Sequence, residues 1–255
     1  MRKMITLKGL VLREHNVGET AKSITVLTAE KGVISILVRG GQKSTKNSAS
    51  TQTFAYSQFC IEEKRTAKGL MNYYLNSSEN IRLFYGIRLD AKKMALASYF
   101  AELLEYTGVE CAGCDEVLRL TLNTFYILSE NEMELELLRN VFQFRLLCEI
   151  GLRPELVGCC SCFVYESDFM YFDFLRNNLT CQECHLKNQA ENPHCFVLDK
   201  TLLYIVRFIA LTDYNRLFAF RISPKYLDKL TEFTEKFLSY HTKGKFKTLE
   251  FYKLL

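Results

Sequence analysis

Four cysteines arranged as two C-x-x-C pairs, Cys159/Cys162 and Cys181/Cys184, are the residues of this chain best equipped for chemistry. A thiolate is a soft anionic donor, and two such pairs separated by 18 residues match the spacing of a four-thiolate zinc site. Each pair can place two sulfurs on one metal ion, and the stretch between the pairs must return as a hairpin to close the tetrahedron. Arg176-Asn177-Asn178 supplies its turn. Four protein sulfurs leave no open position for water or substrate, so one Zn2+ held this way is structural and not catalytic. Cys160 lies inside the first pair and His185 follows Cys184, and either could compete as a ligand. The four-cysteine set is preferred because it alone satisfies both spacings. The competing reading is four buried free cysteines. Cys111 and Cys114 repeat the spacing at a helix junction with no partner pair, while Cys60, Cys148 and Cys195 read most simply as core residues.

No second constellation suggests an enzyme. The segment Arg39-Gly40-Gly41-Gln42-Lys43-Ser44-Thr45 approaches a phosphate-binding loop, but the position before Lys43 should be glycine and is Gln42. It reads better as a flexible basic loop. The histidines are His15, His185, His194 and His241, and neither H-E-x-x-H nor G-x-S-x-G occurs. Glu130, Glu132, Glu134 and Glu136 alternate in a way that suits a solvated face. A metal-dependent nuclease would need an open metal site with activating carboxylates, and neither is identifiable.

The charge distribution points elsewhere. Residues 1–82 carry 13 Lys+Arg against 6 Asp+Glu, whereas the remainder carries 20 against 23. A basic first third on a slightly acidic body implies that polyanion binding, if present, is local to that segment; a solvated basic face is the alternative. Arg39, Lys43 and Lys46 lie in a Gly/Ser/Thr-rich connection, and Lys64, Arg65 and Lys68 in the next one. Both clusters could follow a phosphate backbone without reading bases. Tyr56, Phe59, Tyr73 and Tyr74 offer rings that could stack on unpaired bases, although each ring taken singly is more simply barrel core. Charges within residues 1–20 argue against a secretory signal. The most apolar stretch, 202–211, is interrupted by Arg207, so a membrane role is not expected. A cytoplasmic location follows, and in that compartment cysteines are kept for metals or cores and not for disulfides.

The elements that position these residues are of two kinds. Short β-rich runs at 5–12, 23–28, 32–38, 51–60 and 70–75 suit a small closed barrel, of OB or SH3 type, or a small sandwich. Beyond residue 82 the period becomes helical, with Leu96, Tyr99, Phe100, Leu103 and Leu104 on one stripe and similar stripes at 116–128 and 135–150. Asp199 reads as the N-cap of a helix to residue 211, and Ser223-Pro224 opens another through residue 240, ahead of a basic tail with Lys243, Lys245, Lys247 and Lys253.

Several of these motifs together resemble the RecO family. Val11-Leu12, Gly18-Glu19, residues 25–28, Lys31-Gly32 and Arg39-Gly40-Gly41 are similar to the opening of that family. Gly151-Leu152-Arg153-Pro154-Glu155-Leu156 is similar to the segment introducing its zinc knuckles, and Lys247-Thr248-Leu249 to its close. The resemblance implies an α+β chain: an OB-type DNA-binding barrel at 1–81, then an α-helical domain at 82–255 with a zinc-knuckle insertion at about 153–190. It also implies a non-enzymatic, nucleoid-associated recombination mediator. Such a protein binds ssDNA and dsDNA, anneals strands, engages RecR and the C-terminal tail of single-strand binding protein, and helps load RecA. The alternative is a zinc-containing scaffold whose helical body holds an acidic peptide in an apolar groove rimmed by Lys or Arg, with DNA incidental. This chain departs from the family where the glycine common after the first knuckle is Phe163 and the turn glycines are Asn177-Asn178. Some members lack the cysteines, which implies that zinc is not central to annealing.

Overall fold

Alternation of apolar and polar residues at the start of the chain becomes five strands: β1 (Lys3–Val17), β2 (Ala21–Thr28), β3 (Gly32–Val38), β4 (Ala55–Arg65) and β5 (Met71–Leu83). They close a barrel in the order β1-β2-β3-β5-β4, every pairing antiparallel except a short parallel contact of β3 with β5. The computed structural model describes residues 3–40, 47–66, 69–108, 114–187 and 193–255. Inward residues fill the barrel, among them Leu7, Val11, Ile24, Val26, Ile36, Phe59 and Ile61. Four strands, β1, β2, β4 and β5, exceed the lengths read from the sequence, and bulges let three of them coil around the barrel: β1 slips register between Val11 and Arg13, and β4 with β5 near Tyr56 and Cys60. Residues 77–80, turn-like by composition, are strand because they pair with 57–60.

The chain forms two compact units, Met1–Glu132 with Phe246–Leu255 and Met133–Lys245. The change of period near residue 82 is therefore a change of element type inside the first unit. There α1 (Ser48–Thr51), α2 (Tyr85–Arg88), α3 (Ala91–Tyr106) and α4 (Asp115–Glu130) accompany the barrel. Asp90 caps α3 by accepting from the Lys92 and Lys93 amides, and the buried Lys93 ammonium donates to the Ser129 carbonyl at the end of α4.

The second unit opens with α5 (Leu135–Leu147) and a π-helical turn (Cys148–Leu152) that ends through Gly151 at φ +98°. A four-stranded sheet in the order β6-β8-β7-β9 follows, built from β6 (Glu155–Cys159), β7 (Phe169–Asp173), β8 (Asn178–Cys181) and β9 (Cys195–Asp199), with α6 (Gln182–Lys187) after β8. Next come α7 (Lys200–Leu211), α8 (Tyr214–Leu217) and α9 (Pro224–His241). One face of the sheet buries Met170, Phe172, Leu179 and Leu198, and Phe172 meets Phe233 of α9 at 5.2 Å edge to face. Asp199 caps α7 through the Leu202 amide, as the sequence implies. The basic tail is not extended: α10 (Lys247–Leu254) returns to the first unit, where the Thr248 amide donates to Glu102 at 3.0 Å.

Candidate metal centre and nucleic-acid interface

The metal centre is assembled by the ends of β6 and β8. Cys159 closes β6, Cys162 follows in the next turn, Cys181 closes β8 and Cys184 lies on α6. Their sulfurs all lie within 4.8 Å of one another, and those of Cys162 and Cys181 are 3.6 Å apart. A tetrahedral zinc with Zn–S bonds of about 2.3 Å needs sulfurs roughly 3.8 Å apart, so the four donors fit one such ion. The Ser161 amide points at the Cys159 sulfur and the Cys184 amide at the Cys181 sulfur, each at 3.5 Å, as N–H donors do around thiolates. Burial opposes ionisation of Cys159, but amides of Cys181, Cys162 and Ser161 outweigh it and hold that thiol down at about 6. Cys184 is pushed up to about 12, first by its neighbour Cys162 and then by Cys181. Crowded thiols without a cation share protons in this way; a divalent ion removes the reason to keep them.

Competing ligands fall away among the described residues. The His185 ring stacks on Tyr171 at 3.8 Å, and Cys160 is exposed with its sulfur beside the Thr180 hydroxyl. The hairpin turns where Asn177 adopts φ +58°, its amide donating to the Asp173 carbonyl. Phe163 also sits in left-handed geometry, at φ +61°, with its ring 82% exposed. Arg207 of α7 was legible only as an interruption of an apolar run. It is buried and donates to the carbonyls of Leu156 (2.7 Å), Val157 (3.1 Å) and Tyr165 (2.7 Å), gripping both sides of the knuckle. Of the remaining cysteines, Cys148 is buried and its thiol is pushed up to about 12 by burial, whereas Cys60 and Cys195 are only half-buried, contrary to a core assignment. Cys114 is buried beside α4, and Cys111 lies outside the described residues.

On the barrel, strand register decides which rings are available. Tyr74 pairs with Leu37 on β3 and Glu62 on β4, and its half-buried ring carries the Arg39 guanidinium at 4.7 Å and the Lys64 ammonium at 4.9 Å. Adjacent Tyr73 packs against the barrel core, Phe59 is fully buried within it, and Tyr56 is half-buried. Phe59 is therefore removed from the stacking candidates. Arg65 is exposed at the end of β4, where its Nε donates to the Gly69 carbonyl at 3.3 Å. Lys43, Lys46 and Lys68 lie outside the described residues. A groove of about 490 Å³ beside Tyr74 is lined by His15, Ser23, Ser35, Leu37 and Tyr73. The Ser23 and Ser35 hydroxyls are joined at 2.8 Å along its floor. Alternation alone did not reveal this groove, because its lining comes from four strands. Lys31, which the sequence motif includes, is engaged by Glu63 at 2.7 Å, and that hydrogen bond raises the lysine pKa.

Comparison with known proteins covers both halves. The model for recombination protein O, N terminal, matches residues 1–84, and that for recombination protein O, C terminal, matches 88–250. The chain belongs to the recombination protein O family. The DNA repair protein RecO of Acetivibrio thermocellus is 29% identical over 248 residues, 97% of this chain and 95% of that protein. Its counterpart in Alkaliphilus metalliredigens is 26% identical over 240 residues, 93% and 94% of the two chains. That of Bacillus subtilis is 31% identical over 187 residues, 73% and 71%. In the second unit of this RecO-family chain, α7 and the segment before α9 enclose an apolar cleft of about 300 Å³. Tyr204, Phe208, Phe220 and Tyr226 line it, with the exposed Arg221 at its edge. Among the described residues no helix is long and apolar enough to cross a membrane.

Proposed function

We propose that this chain is a non-enzymatic DNA-repair and recombination mediator whose barrel, of OB type, binds ssDNA and dsDNA and anneals complementary strands. The observation carrying this reading is the gathering of Arg39 and Lys64 at the Tyr74 ring beside the groove, with Lys64 also 3.5 Å from Glu62: two cations able to take phosphates next to an aromatic ring. The strand order, with β1 pairing both β2 and β4 and β3 meeting β5 in parallel, is what an OB-type barrel requires. Neutralising two strands on one basic face lowers the repulsion that opposes their pairing. Lys43, Lys46, Arg65 and Lys68 extend the same sequence-local charge.

The four thiolates hold one Zn2+ as a structural ion, through Cys159, Cys162, Cys181 and Cys184. The apolar cleft edged by Arg221 suits a peptide ending in acidic and aromatic residues, such as the tail of single-strand binding protein. RecR and RecA would be the other partners of such a mediator, acting in the cytoplasm on nucleoid DNA. The cleft also favours the second reading, a zinc-containing scaffold for partner peptides to which DNA binding is incidental.

Binding and annealing of complementary oligonucleotides across a salt series separates the two. The intact protein is compared with a variant in which Lys43, Lys46, Lys64 and Arg65 are neutralised. Salt-sensitive annealing lost in the variant supports the mediator. A folded protein that neither binds nor anneals DNA supports the scaffold.

A further inference from the structure

We propose that Arg207 makes the apolar cleft conditional on the metal, so that the cleft takes its peptide well only when the four thiolates are metallated; this rests on reading the cleft as a peptide site. Arg207 is 9% exposed, and its hydrogen bonds run to three backbone carbonyls, two ahead of Cys159 and one beyond Cys162. The Tyr165 ring covers the guanidinium at 4.0 Å. No carboxylate pairs with it among the described residues. A buried cation of this kind depends wholly on acceptors held in place by something else.

What holds them is the metal-bound turn. The Cys159 amide donates to the Val164 carbonyl at 2.9 Å and the Phe163 amide to the Cys159 carbonyl at 2.9 Å, so the gripped carbonyls flank the thiolate-bearing turn. Gly158 allows this close stem, since a Cβ there would meet the Val164 carbonyl oxygen at 3.0 Å. When the thiolates lose their ion the stem relaxes and the guanidinium loses its acceptors. It must then reach water, and the part of α7 that moves with it is its middle.

That helix is also a wall of the cleft. Thr201, Tyr204, Ile205 and Phe208 recur at helical spacing along the face that lines it, and Arg207 lies on the adjoining face. Both ends of α7 are held independently of the knuckle: Asp199 accepts from the Leu202 amide and meets the Lys229 ammonium at 2.5 Å, while Arg145 donates to the Ile209 and Thr212 carbonyls. Arg207 therefore sets the rotation of the middle of the helix, and with it the placement of Tyr204 and Phe208. It is a positioning residue that touches neither metal nor peptide.

The test titrates a fluorescein-labelled Asp-Asp-Asp-Leu-Phe peptide, with a free terminal carboxylate, into the full chain, zinc-loaded or chelator-stripped, as wild type and as Arg207→Met. Metal removal is expected to weaken wild-type binding about tenfold, a typical coupling between sites. Arg207→Met is expected to bind weakly and alike with or without metal. Equal wild-type affinity in both states, or full metal dependence in Arg207→Met, overturns the coupling while leaving the cleft as a peptide site. No binding to zinc-loaded wild type removes the cleft reading and this inference with it. Hydrogen exchange of the wild-type amides at 202–208 needs no variant: faster exchange after stripping is expected, and unchanged exchange overturns the proposal.

Discussion

Replacing Phe163 by glycine isolates the backbone cost of the metal knuckle. Phe163 holds φ at +61° in the turn after Cys162, where a Cβ crowds the backbone by about 1–2 kcal/mol and glycine does not. Its ring is 82% exposed, so deleting it removes little packing. Against the relief stands the greater freedom of glycine in the unfolded chain, about 0.4–1 kcal/mol. The net expectation for Phe163→Gly is a gain of up to about 1.6 kcal/mol. Phe163→Ala keeps the Cβ and should stay within about 0.5 kcal/mol of wild type, as exposed substitutions do. Phe163→Asn should fall between them, because asparagine tolerates left-handed geometry. The assay follows zinc release during urea unfolding with a chromophoric chelator, which reports on the unit that holds the cysteines. The predicted order of midpoints is Gly above Asn, and Asn above Ala and Phe. A glycine variant that releases zinc earlier than the alanine variant would refute the strain argument and show that the ring itself supports the knuckle.

Cys162→Ser should abolish stoichiometric zinc binding and lower the melting temperature of the second unit; unchanged metal content and melting would sink the four-thiolate assignment. Neutralising Arg39 and Lys64 together should reduce the slope of log K against log salt for single strands by about 1.4, roughly 0.7 per phosphate contact, and an unchanged slope would place the contacts elsewhere. Burial tends to raise the Asp199 carboxyl, but the Lys229 hydrogen bond and the Leu202 amide outweigh it and hold its pKa below the usual value. The resulting stability is present above the unfolded carboxylate pKa and is lost as pH falls through the lower folded value. Asp199→Asn, which keeps a cap, should flatten the acid limb of a urea-midpoint profile, and an identical limb in both proteins would exclude the pair as its source. Gly86→Ala should destabilise the first unit by about 3 kcal/mol or more in urea unfolding, since its Cβ would lie 2.1 Å from the Ser129 carbonyl oxygen; a wild-type midpoint would contradict that close approach.

What could be read from the sequence divides along a physical line between local and cross-strand geometry. The two C-x-x-C pairs were legible because each knuckle is a local turn, and the intervening asparagine advertised its own left-handed residue. The nucleic-acid face was legible only in composition. Tyr73 and Tyr74 are neighbours of the same type, yet one packs on the core with Lys31 at 5.6 Å and the other holds Arg39 and Lys64, a distinction set by their register against β3 and β4. A bulge between Ser77 and Leu75 shifts that register, and a shift of one residue exchanges the faces of a strand, so counting alternate positions along β5 from its far end could not tell Tyr73 from Tyr74. Arg207 was hidden for the same reason at longer range. In the sequence it breaks an apolar run, whereas in the fold its partners are carbonyls about 40 to 50 residues earlier, at 156, 157 and 165. Backbone acceptors carry no side-chain signature. The charge in an apolar helix was therefore the one available sign that something in the interior had to receive it, and what receives it is the stem of the metal site.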